Sequence, residues 1–363
     1  MANYITVSYD TLFAFTKAVF THIGCNDADA FAASKALLSA DIRGIDSHGV
    51  ARLSGYIRLW QAGRVNATPH IQIIHETPST ATIDADGALG LVAAQQAMQL
   101  AIKKAKQCGT GWVAVGNSNH FGIAGYHAML ALEHDMIGIA MTNASALVAP
   151  TFGKEKMLGT NPIAVAIPAK TQPPFVADFA TTTAANGKLE ILQRKNEDTP
   201  FGWVQSADGT PSTDAHILKK NGALLPLGSD REHGSHKGYA LGSIVDIFSA
   251  VFSGASYGPW APPFPAYIPM PEDMPGTGLG HFIGAIRIDA FRPADAFLMH
   301  MDRWISRFRN TTPIDAQQPV IIPGDPERLM EAERLQHGIP IIETVMNDLN
   351  ALATSLQLKP LSV

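Results

Sequence analysis

Apolar positions in the first 63 residues recur at helical spacing, broken by glycines. Ser8 precedes "YDTLFAFTKAVFTHIG" and predicts a capped helix that ends at Gly24. Asn26 precedes "DADAFAASKALLSADIRG", with acidic residues in its first turn and Gly44 past its end. A third helix is predicted from His48 to Gly63. The period then shortens. "IQIIHET", "TATIDAD" and "WVAVGNS" read as strands, with a long helical pattern "AAQQAMQLAIKKAKQC" before the last of them. A helix after Gly125 follows, then strands "IGIAMTN", "PIAVAIPA" and "FVADFA" and the helix "AANGKLEILQRKN".

Residues 195–233 are rich in Gly, Pro, Asp and Ser and read as long loops. "GYALGSIVDIFSAVFSGA" is apolar throughout and predicts a buried helix. Residues 254–280 are dense in Pro and Gly, an excursion that serves as a lid or as an arm crossing to a partner subunit. Strand "HFIGAIRIDAF", helix "DAFLMHMDRWISRFRN", strand "PVIIPGD" and two terminal helices complete the chain. The class is α/β with a mixed sheet.

With 363 residues, 46% of them hydrophobic, the chain is long enough for a large core and two or three lobes. The net charge is −5 and no basic block occurs, which argues against nucleic acid or an anionic membrane as the main partner. Cys25 and Cys108 are too few for a disulfide framework or a multi-cysteine zinc site and suit a reducing cytoplasm. No signal-peptide pattern opens the chain, and no apolar run approaches the ~20 residues of a membrane span.

Candidate chemistry concentrates in "RGIDSHGVARLSGYIRLW", residues 43–60. Asp46 and Ser47 suit an N-cap, and a histidine after a cap needs no function. On a continuous helix, however, His48, Arg52 and Tyr56 share one face, joining a proton-transfer group, a carboxylate-gripping guanidinium and a phenol. A hydrolase triad of Asp46, Ser47 and His48 is disfavoured, since sequence neighbours point in different directions.

A glycine fingerprint for a dinucleotide is matched only by "GTGWVA", with a helix before it and a strand after it, the reverse of the context a pyrophosphate needs. No Walker A loop is present, so a Rossmann domain is not expected. In "GNSNHFGIAGYHAMLALEHD", His120 stands between a strand and a helix start, whose positive end keeps an imidazole neutral. A neutral imidazole there can take a proton from a substrate hydroxyl, although a loop-capping histidine accounts for the residue equally well. His127 and His134 read as packed or solvated. His233 and His236 lack a third ligand at metal-site spacing, and no metal is expected.

"ADIRGIDSHGVARLSGY", "VGNSNHFGIAGYHA", "GTNPIAVAIPA", "VADFATT", "HKGYAL" and "IPGDPE", in that order over residues 40–327, resemble the malate/L-lactate dehydrogenase-like oxidoreductases. That family is distinct from the Rossmann lactate and malate dehydrogenases. The resemblance implies a mixed-sheet, non-Rossmann NAD(P)-binding fold with a helical N-terminal lobe, a homodimer, and an active site shared between subunits. It implies an acid/base role for His48 or His120, with Ser47 and Arg52 near the substrate. It places a nicotinamide cofactor, NAD or NADP, along Ser145, Asp178, Phe179, Ala180, Thr181, His236, Lys237, Gly324, Asp325 and Pro326. The chemistry suits these residues: a carboxylate for a ribose or amide, a lysine for a diphosphate, and a glycine for close backbone approach. Turn chemistry alone also explains these stretches. His236 before Lys237 and the length of segment 254–280 depart from the family pattern.

The expected organisation is a helical lobe of residues 1–75 packed with 326–363, a central α/β domain of 76–120 and 230–325, and a cofactor-binding α/β domain of 121–229. The expected reaction is hydride transfer between NAD(P) and C2 of a small 2-hydroxy or 2-oxo acid, with malate leading over lactate, sulfolactate and ureidoglycolate. A cyclic imine reductase of the same family, a serine hydrolase using Ser47 and a non-catalytic small-molecule binder are the alternatives.

Overall fold

The computed structural model describes residues 3–361. In chain order the elements are β1 (Tyr4–Val7), α1 (Tyr9–His22), α2 (Asp27–Ile42), α3 (Leu53–Gln61), β2 (Gln72–Glu76), β3 (Thr80–Asp84), α4 (Gly90–Cys108), β4 (Thr110–Ser118), α5 (Ala124–Met129), β5 (Met136–Thr142), β6 (Ile163–Ile167), β7 (Phe175–Phe179) and α6 (Asn186–Lys195). Then come β8 (Val204–Gln205), β9 (Pro211–Ser212), β10 (Ala223–Leu224), α7 (Ser235–Asp246), β11 (Leu279–Arg287), α8 (Ala294–Arg309), α9 (Asp325–His337), β12 (Ile339–Ile342) and α10 (Glu343–Ser355).

The central sheet has seven strands in the order β2-β3-β4-β11-β5-β6-β7. Only β3 and β4 are parallel, because α4 carries the chain back between them; every other pair is antiparallel. The "GTGWVA" stretch begins just past α4, at its capping Gly109, and runs into β4, so no helix start follows its glycines. Helix α4 lies close to the sheet because its inner face is largely alanine. A Cβ on Gly111 of β4 would stand 2.0 Å from the Ala101 carbonyl oxygen. Strand β11 runs down the middle of the sheet, between β4 and β5.

One apolar cluster joins α1, α2 and α3 to α10, with Phe20, Leu37, Leu53 and Leu349 fully buried. A second fills the space between α4, α5 and the sheet. A third, smaller one gathers Val148, Leu189, Val204 and Leu224 around the β8–β10 hairpin pieces. Strands β1 and β12 pair antiparallel, Tyr4 with Ile342 and Val7 with Ile339, and tie the first residues to the last helices.

The Ser8 and Asn26 caps form as read, accepting from the Thr11 and Asp29 amides. Four expectations change. The third helix begins only at Leu53, after two short 3-10 turns at Asp46–His48 and Val50–Arg52. "PVIIPGD" is not a strand, since Pro319 and Pro323 lack an N–H and the Ile322 amide is drawn to the Asp325 side chain. The apolar α7 segment, which runs on through a π turn at Ile247–Val251, is not buried throughout. Tyr239, Ile244, Ile247, Val251 and Phe252 of that segment are exposed in the single chain. Finally, β1 and β12 do not follow from the local pattern, being four residues each and paired with one another across the length of the chain.

Candidate active site

The 3-10 turns at 46–52 owe their shape to a buried carboxylate. Asp41, in the last turn of α2, accepts a hydrogen bond from the Val50 amide at 2.9 Å. Its oxygen fills the space beside Gly49, where a Cβ would meet it at 2.0 Å. The chain therefore turns at Gly49 instead of continuing as helix. Asp46 and Arg43 bind outward to Arg334 and Glu331 of α9, which fixes the loop to the C-terminal helices. Neither Asp46 nor Ser47 serves as a helix cap.

The turn and the following helix bring the predicted groups together, though not as one helical stripe. The His48 and His120 rings stack, with centroids 5.8 Å apart and planes 23° apart. Ser47 Oγ lies 2.9 Å from His48 Nδ1. Tyr56 Oη lies 2.7 Å from His120 Nδ1, and the Gly122 amide donates to that same nitrogen at 3.3 Å. Because a backbone N–H can only donate, this network assigns acceptor character to Nδ1, and a neutral His120 then carries its proton on Nε2. Tyr56 can donate or accept, so its hydroxyl supports either tautomer.

Arg52 Nε donates to the Ser47 carbonyl oxygen at 2.7 Å, which orients the guanidinium. One of its terminal nitrogens stands 3.8 Å from a Glu190 carboxylate oxygen on α6, and its carbon lies 5.8 Å from the Phe264 ring centroid. Gly187 of α6 comes so close to Ser47 that a Cβ there would meet the serine Cβ at 2.6 Å.

Burial dominates the electrostatics. It lowers the His48 pKa to about 4, with the nearby Arg52 charge adding to the effect. His120 falls well below the ordinary histidine value, through burial first, then the charges of His48 and Arg52. Both are neutral near pH 7. The direction agrees with the sequence reading, but burial and neighbouring charges are the causes, and α5 is only six residues long. Burial also pushes the Tyr56 phenol well above its usual range, which keeps it a neutral hydrogen-bonding group.

The stretches assigned to a cofactor converge around β7. Asp178 near its end is exposed in the single chain and accepts from the Gly125 amide at 2.8 Å; crowding of protein around its carboxyl raises its pKa to about 6. Phe179 is exposed beside it, and Ala180 is half-buried. Thr181 is buried and donates to the Thr160 and Asn161 carbonyls at 3.1 Å, a structural commitment. Behind Thr181 lies α7, where a Cβ on Gly242 would stand 3.0 Å from Thr181 Oγ1. At the N-terminus of α7, His236 Nδ1 is 2.9 Å from an Arg231 nitrogen, and Lys237 is exposed with no ion pair among the described residues.

Gly324, with φ at +97°, caps α9 and packs against Val176 of β7, whose amide donates to the Pro323 carbonyl at 3.0 Å. Pro326 follows in the first turn of α9. Asp325 is partly desolvated, yet bonds from Arg309 at 2.9 Å, the Ile322 amide and Arg328 hold its carboxyl below the usual range. Ser145 stands apart from this group. Its hydroxyl donates to the Pro262 carbonyl at 3.2 Å and accepts from the Phe264 amide at 2.9 Å.

Two neighbours of the site escaped the sequence reading. Glu190 had a usable signal in Asn186, four residues earlier, which donates to it at 2.9 Å. Phe264 had none, because its place depends on contacts more than a hundred residues away. His127 is packed, bonded to the Phe121 carbonyl at 2.8 Å, and His134 is exposed.

Residues 7–350 match the family model described as malate/L-lactate dehydrogenase. The chain is 41% identical over 362 residues to a malate dehydrogenase of Pyrococcus abyssi, covering 99% of this chain and 98% of the relative. It is 43% identical over 352 residues to a malate dehydrogenase of Pyrococcus horikoshii, covering 97% and 95%. The solved structure of malate dehydrogenase from Pyrococcus horikoshii OT3 superposes with a TM-score of 0.89 at 38% identity, covering 99% of this chain and 98% of that one. Stacked, neutral histidines beside an oriented guanidinium, on a mixed sheet without a Rossmann fingerprint, agree with those matches: the chain belongs to the malate/L-lactate dehydrogenase family of oxidoreductases.

Proposed function

We propose that the protein interconverts a small 2-hydroxy acid and its 2-oxo acid with NAD, malate being the leading substrate and NADP the other nicotinamide form to be tested. The convergence of Arg52, His120, His48 and Tyr56 carries this reading. Arg52 binds the substrate carboxylate in bidentate fashion, and Ser47 lies alongside. His120 handles the hydroxyl proton, with His48 stacked on it as partner. Positioning and proton transfer are the chain's share of catalysis.

The resting state gives this chemistry a direction. Arg52 is one of the charges that keep His120 deprotonated. A carboxylate on Arg52 neutralises that charge, so binding a 2-oxo acid raises the proton affinity of His120 where a proton is needed. In the oxidising direction a neutral His120, protonated on Nε2 at rest, takes up the hydroxyl proton at Nδ1, the nitrogen that the Gly122 amide and the Tyr56 hydroxyl leave as acceptor, and becomes an imidazolium.

The cofactor-binding segment 121–229 contributes Ser145, Asp178, Phe179, Ala180 and Thr181 to the cofactor site, joined by His236, Lys237, Gly324, Asp325 and Pro326. The fit rests on an exposed lysine at the start of α7 for a diphosphate, and on an exposed Phe179 ring beside the Asp178 carboxyl. The bound nicotinamide supplies the hydride acceptor. The domain limits are those read from the sequence, with 1–75 and 326–363 as one lobe and 76–120 and 230–325 as the centre. No described helix is long and apolar enough to cross a membrane, and we place the enzyme in the cytoplasm.

A homodimer completes the reading. Phe252 adjoins Phe248, Phe282 and Trp112 in one apolar groove, and Ile244, Ile247 and Val251 of the same segment are exposed, a composition suited to an interface core. Loss of reduced-nicotinamide absorbance with a panel of 2-oxo acids, run with both cofactors, tests the function. Oxaloacetate is expected to give the highest kcat/KM, and no turnover with any 2-oxo acid would overturn the assignment. Sedimentation at micromolar concentration is expected to show a dimer.

A further inference from the structure

From the contacts of Phe264 we infer that this residue sets the upper limit on the C2 substituent of the substrate. The inference rests on the proposed function, in which Arg52 and His120 hold the substrate at two points. Phe264 touches both of them. Its ring centroid is 5.0 Å from that of His120, 5.4 Å from that of Tyr56 and 5.8 Å from the Arg52 guanidinium carbon. A 2-oxo acid fixed through its carboxylate and its carbonyl oxygen has one substituent left to place, and the phenyl ring borders that space.

Beyond the ring lies a cavity of about 390 Å³, lined by His120 and Phe264 together with Arg64, Asn66, Asn119 and Pro263. Arg52, His48 and Tyr56 do not line it. Phe264 and His120 therefore form the partition between the substrate anchors and a space large enough for a longer tail.

The partition is built, not incidental. The Phe264 amide donates to Ser145 Oγ at 2.9 Å. On either side the Arg64 guanidinium donates to the Pro263 and Ile268 carbonyls at 3.2 and 2.7 Å. Beneath the ring is Gly55, in the first turn of α3, where a Cβ would stand 2.6 Å from Phe264 Cε1. Glycine is disfavoured inside a helix, and here it is what lets the ring sit this deep. A filter of this kind favours three- and four-carbon 2-oxo acids, whose substituents end before the partition.

The experiment compares kcat/KM for oxaloacetate and 2-oxohexanoate in the wild type, Phe264→Ala, Phe264→Leu and Gly55→Ala. Opening the partition is expected to raise the 2-oxohexanoate to oxaloacetate ratio about tenfold or more in Phe264→Ala, the scale on which an apolar pocket discriminates a few methylenes. Phe264→Leu, which keeps an apolar anchor for the segment, is expected to shift the ratio the same way by less. Gly55→Ala pushes the ring out of place without touching residue 264, and the same direction is expected. Thermal melting of each variant reports any loss of folding, which lowers both rates together and leaves the ratio alone. An active wild type whose ratio stays constant in all three variants overturns this inference alone. A wild type inactive on both acids overturns the proposed function, and this inference with it.

Discussion

Two histidine pairs in this chain lie in opposite surroundings. His48 and His120 stack under Arg52 and Tyr56 with burial holding both neutral. His233 and His236 stand at the start of α7, in a loop with Asp230, Arg231 and Lys237, where His233 is exposed and pairs with Asp230 at 2.7 Å. Burial turns an imidazole into a proton acceptor and sets its orientation by neighbouring hydrogen bonds. Exposure leaves the second pair as part of a polar, partly cationic rim suited to an anion. Residue type alone does not separate these roles; the dielectric around the ring does.

Removing the buried imidazole breaks the comparison most severely. His120→Ala is expected to lower kcat by ~10²–10⁴-fold, the range of general acid–base catalysis, with the cofactor Kd nearly unchanged. Full activity in both His120→Ala and His48→Ala would end the proton-transfer reading. The same pair predicts the pH profile. Since the basic form is needed for oxidation and burial lowers the pKa to about 4 for His48 and well below the ordinary histidine value for His120, kcat/KM for malate is expected to stay level as pH falls from neutral through the ordinary histidine range. It falls only as those rings protonate. A midpoint at the ordinary histidine value would show that burial does not govern them.

Arg52→Lys comes next in size. A point charge replaces a planar fork, and KM for the 2-oxo acid is expected to rise about tenfold or more, the cost of a lost charge-assisted hydrogen bond. A loss of cofactor affinity with substrate KM intact would reassign the residue. The smallest effect belongs to the exposed region. Lys237→Ala is expected to weaken cofactor binding about two- to fivefold, as for a solvent-screened charge, and the difference should shrink in high salt. Titration of cofactor binding by fluorescence at two ionic strengths checks it.

What the sequence made legible follows from the range of each interaction. Ser8 and Asn26 act within three residues, so the caps and helices α1 and α2 could be read directly. The β-formers and glycine punctuation likewise placed β2 to β7 and β11. The break at Gly49 could not be read, because its cause is the Asp41 carboxylate reaching across a turn. His48, Arg52 and Tyr56 lie close together, but not on the continuous helix that their spacing predicts: two 3-10 turns and the start of α3 deliver them. Likewise the exposed face of α7 carries the hydrophobicity of a core element, and composition alone does not place it at the surface. The role of Phe264 has no signal in the sequence, since the partner that makes room for it, Gly55, is silent in any pattern of side chains.

The pairing of β1 with β12 bears on the order in which the enzyme is made. Val7 waits for Ile339, and the turn that carries His48 is held by Arg334 through Asp46, while Ser54 donates to Asp348 at 2.5 Å. A ribosome therefore releases the N-terminal helices long before their last partners exist. Synthesis proceeds at ~5–20 residues per second, so the lobe bearing His48 remains unclosed for tens of seconds. Catalytic competence comes with the final helices, and a nascent chain stalled before them holds every predicted catalytic residue without the support that aligns them.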